Sequence, residues 1–182
     1  MCKNIRCDAQ GERRRFPCEQ LEYTKTVGNL LPKILGETFT ELGFGVKVNH
    51  QQANGVDMEV FLGHNRILVA EVLNWSIASR LTYKRKNSII GNLNEFNCNK
   101  MLIHTVSLSN LEGLKESGIY LLEIGYQILP KTYYNFFLTK NQVERRSVDS
   151  DSARRNIKAK ILHYVNNYLF GHKFLNFLLS PP

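Results

Sequence analysis

The spacing of apolar and polar positions predicts an alternation of helices and strands through most of this chain. From about Thr26 to Leu42, residues Leu30, Leu31, Ile34, Leu35, Phe39 and Leu42 fall at helical intervals, and Gly43 ends the run. Pro32 lies inside it, so either the helix begins near that residue or it is kinked there. Phe44 to Asn49 alternates as a first strand. Val56 to Leu62 and Arg66 to Leu73 are rich in β-branched and aliphatic residues, and the turn chemistry of Gly63-His64-Asn65 between them predicts a hairpin. The apolar run Ile67 to Leu73, interrupted only by Glu71, reads as a central strand buried on both faces.

After Trp75, residues Leu81, Ile89, Ile90, Leu93 and Phe96 line a helix within Ser76 to Phe96. Met101 to Val106 reads as a short buried strand. Ser109 to Glu112 has the spacing of a capping box for a short helix that runs to Ser117 and stops at Gly118, and Ile119 to Ile124 is another strand. Strand, helix and strand with short links imply a right-handed parallel crossover. The fold class is therefore α/β: a central mixed sheet of about five strands flanked by helices, with a C-terminal helical extension. Beyond Gly125, Tyr126 to Phe137 is an aromatic edge strand or packing segment, and Asn141 to Ser152 is polar enough for a linker. Ala153 to about Leu169 forms an amphipathic helix with Ile157, Ile161, Leu162, Tyr164, Val165 and Tyr168 inward. Phe174 to Leu179 is a last apolar segment, expected in the core or against a partner subunit. Three regions result: a basic arm at 1–25, a core at 26–137, and a linker with C-terminal helix at 138–182.

Composition adds a partner. The chain has 182 residues, enough to bury a substantial core, and its formal net charge of +8 points to a polyanion, with solubility as the alternative explanation. No apolar run reaches the roughly 20 residues of a membrane span, and the opening MCKNIRCDAQGERRR lacks the apolar core of a signal peptide. A cytoplasmic protein without membrane association is expected. Cys2, Cys7 and Cys18 follow a C-x4-C-x10-C spacing that departs from the paired C-x2-C of zinc knuckles, so reduced thiols are favoured over a Zn²⁺ site completed by Cys98 or a histidine.

Two carboxylates interrupt the hairpin. With a three-residue loop, Leu62 faces Arg66 and Asp57 lies directly opposite Glu71 on one face of the sheet. Two such charges are reconciled by a hard divalent cation, by a proton on one of them, or by arginine and main-chain donors. The basic residues Arg80, Lys84, Arg85 and Lys86 follow on the next helix, placed to meet phosphate.

In this order of elements, with Gly55-Val56-Asp57, the hairpin and Ala70-Glu71-Val72, residues 26 to 125 resemble the PD-(D/E)XK nuclease superfamily. That superfamily has the restriction-endonuclease-like fold and includes archaeal Holliday junction resolvases and Mrr-type enzymes. The resemblance implies a DNA endonuclease dependent on Mg²⁺ (or Mn²⁺), with the ion held by Asp57, Glu71 and the main-chain carbonyl of Val72. The family's lysine falls where this chain has Leu73. In some members it has moved to a neighbouring helix, which makes Lys84 the candidate catalytic lysine, with Lys86 or a hydrogen bond from Asn74 as alternatives. Arg80, Lys84, Arg85 and Lys86 would hold DNA phosphates, and Glu37 or Glu41 would supply the further glutamate that the first helix sometimes donates. Double-strand cutting would favour a homodimer. The alternative is a nuclease-like domain without catalysis, acting as a nucleic-acid-binding or assembly module.

Overall fold

A computed structural model describes residues 5–7, 13–15, 18–49, 55–109, 111–139 and 147–170. Two short strands, β1 (Ile5–Cys7) and β2 (Arg13–Arg15), pair antiparallel ahead of helix α1 (Cys18–Glu41). The body is a five-stranded sheet in the order β3 (Gly45–Val48), β4 (Met58–Leu62), β5 (Asn65–Leu73), β6 (Asn99–His104) and β7 (Ile119–Glu123). The first three strands run antiparallel to one another, and β6 and β7 continue parallel to β5. Helix α2 (Tyr83–Asn94) links β5 to β6, and α3 (Glu112–Glu116) links β6 to β7.

Because side chains alternate along a strand, the sheet divides its core by residue parity. Leu68, Ala70 and Val72 of β5 join Leu31, Ile34, Leu35 and Phe39 of α1 on one face. Val69 and Leu73 join Ile89 and Leu93 of α2 and Leu114 of α3 on the other. Each fully buried aliphatic side chain of these layers contributes about 1.5–3 kcal/mol. The C-terminal helix α5 (Ser150–Tyr164), capped by the Asp149 carboxylate and followed by a π-helical turn (Val165–Leu169), packs with α1 on the first face. Among the described residues, no helix is long and apolar enough to cross a membrane.

Several boundaries differ from the sequence reading. Helix α1 starts at Cys18, inside the expected arm, and holds Pro32 in its interior; good helix formers such as Glu19, Gln20 and Leu21 carry it back through that stretch. The hairpin turn is the two residues Gly63 and His64, with Leu62 opposite Asn65 rather than Arg66. Pairing moves from Phe61↔Arg66 to Val60↔Leu68, which leaves Ile67 as a bulge. Helix α2 begins only at Tyr83, where the Thr82 hydroxyl accepts from Arg85 N–H at 3.2 Å. The expected capping box does not form: Leu111 holds the N-cap position of α3 with helical backbone and no side-chain bond. The aromatic segment after Gly125 divides into β8 (Gln127–Leu129) and α4 (Lys131–Thr139). The expected linker ends in β9 (Ser147–Asp149), which pairs parallel with β8. On the last helix Tyr168 is exposed and Ala153 takes a buried place. The Phe174–Leu179 segment and the side chains of Cys2, Cys7 and Cys18 lie outside the described residues; Cys98 is a free, half-buried thiol.

Candidate functional site

Asp57 immediately precedes β4, and Glu71 stands near the carboxyl end of β5, where the parallel strands open toward the loops that follow them. Met58 pairs with Ala70, so one further step along the ladder sets Asp57 across from Glu71. The two carboxyl groups lie within hydrogen-bonding reach of each other. The bulge at Ile67 makes this possible. A two-residue turn alone would offset the strands by one residue and send the two side chains to opposite faces.

Each acid is held by its own donors. Asp57 Oδ2 accepts from the Val72 main-chain N–H at 2.8 Å. Glu71, only 1% exposed, accepts from Asn92 Nδ2 at 2.8 Å through Oε1 and from Arg85 Nη2 at 3.1 Å through Oε2. Asn92 also donates to the Gly55 carbonyl at 3.0 Å, joining α2 to the chain just before Asp57. The Leu73 carbonyl accepts from Thr105 N–H on the β6 side, so the Val72 carbonyl, one residue earlier, is directed to the opposite edge, where β4 has ended.

Burial dominates the electrostatics of the pair. It pushes the Glu71 carboxyl up to about 7, with the Asp57 charge adding to the rise and Asn92 and Arg85 opposing it. Burial also raises Asp57, against the Val72 N–H bond and the Arg85 charge. A third carboxylate, Glu59, exposes little surface but lies less deep than the pair, and it behaves in the opposite way. Burial pushes it up too, yet bonds from Asn49 and Lys47 and the charges of Arg66 and Lys47 outweigh that and hold it below its ordinary range. Arg66 Nε lies 2.7 Å from Glu59 Oε2, with the guanidinium over the Phe96 ring.

The other candidates are dispersed. Lys84 is exposed on α2 and has no hydrogen-bond or ion-pair partner among the described residues, whereas the adjacent Arg85 turns inward to Glu71. Lys86 lies over the Tyr83 ring beside α3, and Arg80 is exposed in the loop before α2. Leu73, 3% exposed, is embedded in the apolar layer with Ile89, Leu93 and Leu102. Asn74 does not turn toward the carboxylates: it donates to the carbonyls of Val27 and Ile128 and accepts from Ile128 N–H, tying the sheet to α1 and β8. Glu37 and Glu41 pair with Arg154 and Lys158 of α5. These two acids belong to the opposite helical layer.

Sequence reasoning missed Asn92 and Glu59. Asn92 is a polar residue three positions after Ile89 on an otherwise apolar stripe, and Glu59 shares a strand face with Asp57 two residues before it; both spacings were there to read. Among the described residues no third His, Cys, Asp or Glu groups with Asp57 and Glu71. Further ligand atoms for a cation would be main-chain or amide oxygens, such as those of Val72 and Asn92, or water. Neither a family model nor a curated protein sequence matches the chain.

Proposed function

We propose that this chain is a divalent-cation-dependent DNA endonuclease of PD-(D/E)XK type, with Asp57, Glu71 and the Val72 carbonyl as cation ligands. The observation that supports it most is the contrast between carboxylates on one sheet face: Glu59 is held low by Asn49, Lys47 and Arg66, whereas half-buried Asp57 and buried Glu71 remain raised despite their donors. Their donor set is all hard oxygen, the kind Mg²⁺ and Mn²⁺ select. Such an ion, when bound, lowers the pKa of a water and offsets charge developing on phosphoryl oxygens. Asn92 and the Val72 N–H hold the two carboxylates in orientation. Arg85 is the α2 cation in contact with Glu71, and we assign it, in place of Lys84, the charge-offsetting role at the scissile phosphate. Arg80 and Lys84 would then contact flanking phosphates, and cutting both strands would require a two-fold dimer.

A second reading, a nucleic-acid-binding or assembly module without cleavage, is favoured by one observation. Leu73 is sealed in the apolar layer at the position of the family's lysine, and Arg85 already neutralises Glu71.

Calorimetric titration with Mg²⁺ and Mn²⁺, run beside cleavage assays on duplex, branched and single-stranded DNA, separates these readings. The endonuclease reading expects saturable cation binding that Asp57→Ala abolishes. It also expects cleavage that Glu71→Ala lowers by several orders of magnitude while DNA binding persists, because the lost group acts on the transition state. Cation binding without cleavage of any substrate selects the second reading. Absence of saturable binding in the wild type overturns the cation site itself.

A further inference from the structure

The turn of α2 that sends Arg85 to Glu71 presents two other side chains outward, to a cleft that the carboxylate site does not use. Leu81, Tyr83 and Lys86 form one wall, and Glu112, Gly113 and Glu116 of α3 form the other, around a space of about 390 Å³. Tyr83 is 75% exposed, unusually so for a large aromatic side chain at a helix start, and the Lys86 ammonium lies 5.6 Å from its ring centre. Gly113 leaves that part of the wall without a side chain; a Cβ there would stand 3.7 Å from Lys86 Nζ.

The chemistry of this cleft is not that of a phosphate site. Two carboxylates on the α3 wall repel a phosphodiester, while an exposed aromatic ring beside an apolar Leu81 suits a flat ring. The polar groups require a ligand edge that is a donor on one side and an acceptor on the other, since carboxylates accept and ammonium only donates. Among nucleobases, guanine combines both most fully: N1–H and N2–H₂ for a carboxylate, O6 and N7 for a lysine. Those donors are engaged in a base pair, so the base must be unpaired to offer them. We propose that the α2–α3 cleft binds an unpaired guanine of a nucleic-acid strand, stacked on Tyr83 and read by Glu112, Glu116 and Lys86. This deepens the nuclease reading by naming single-stranded or distorted, guanine-bearing DNA as its substrate class, and it rests on that reading only for the cleavage that would follow.

The test is therefore made without divalent cation, in EDTA, by fluorescence anisotropy. Its probes are a short oligothymidylate, the same strand with one central guanine, and that guanine strand annealed to its complement. The wild type should bind the guanine-bearing single strand about tenfold or more tightly than oligothymidylate, with no such gain in the duplex, because stacking and edge recognition both require an unpaired base. Tyr83→Ala, an exposed and fold-neutral change, should weaken that binding by about tenfold, and Tyr83→Phe should retain it. The double variant Glu112→Gln, Glu116→Gln should bring the guanine and thymine strands to within about twofold, since the carboxylates carry the discrimination. Equal affinity of the wild type for both single strands, or a guanine preference unaltered by Tyr83→Ala, overturns the assignment. Neither outcome touches the cation titration, so failure here and failure of the nuclease reading are told apart.

Discussion

At the residue scale the decisive group is Glu71, the fully buried member of the carboxylate pair. Burial raises it to about 7 although Arg85 and Asn92 both bond to it. A carboxyl raised on folding binds its proton more tightly in the native than in the unfolded state. Its stabilising contribution is therefore complete below the unfolded value of 4.5 and lost as pH rises through about 7. Urea unfolding without divalent ions should show stability falling across that window, on the order of a few kcal/mol at most, and Glu71→Gln should flatten the fall. A slope unchanged in Glu71→Gln would assign the titration to another group. Because a cation competes with that proton, Mg²⁺ affinity should increase over the same interval.

At the element scale, β5 does most of the positioning, since its last two residues and the one that follows face three different partners. Val72 directs its N–H to Asp57, Leu73 enters the α2 layer, and Asn74 crosses to the α1 side. Asn74 is 7% exposed and bonds with α1 and with both main-chain groups of Ile128, so it joins β5, α1 and β8 in one buried node. Asn74→Ala leaves these groups buried without that partner and should destabilise the protein by about 2–5 kcal/mol. The urea midpoint should drop at unchanged slope; a loss under about 1 kcal/mol would mean that water replaces the amide. Helix α2 is held more lightly at its start, by the Thr82 cap and the Arg85 ion pair.

At the scale of the whole molecule, the +8 charge is the property that concerns a nucleic-acid partner. Several of the cations are occupied by acids: Lys47 and Arg66 serve Glu59, and Arg154 and Lys158 serve Glu37 and Glu41. The basic residues Arg80, Lys84 and Arg85, at and before the start of α2, are the expected phosphate surface. DNA affinity should fall linearly with salt on logarithmic axes, and replacing Arg80, Lys84 and Arg85 together with alanine should reduce the slope by up to about 0.9 per phosphate contact removed. An unaltered slope, measured by anisotropy over a salt series, would move the binding surface off α2.

Local period alone determined the elements of the core, the mixed sheet and the crossover from β6 to β7, because side-chain alternation and helical spacing are properties of neighbouring residues. The adjacency of Asp57 and Glu71 was legible for the same reason, although by a count that the molecule reaches differently: a turn one residue shorter than expected is offset by the bulge at Ile67. The identity of the basic group at Glu71 was not legible. Successive helical residues point about 100° apart, and which of Lys84, Arg85 and Lys86 meets the sheet depends on how Ile89 and Leu93 seat α2 against Val69 and Leu73. The same holds for Asn74 and Asn92, whose partners lie 47 and 54 residues away in the first case and 21 and 37 in the second. Spacing along the chain tells which residues share a face; only packing decides what that face meets.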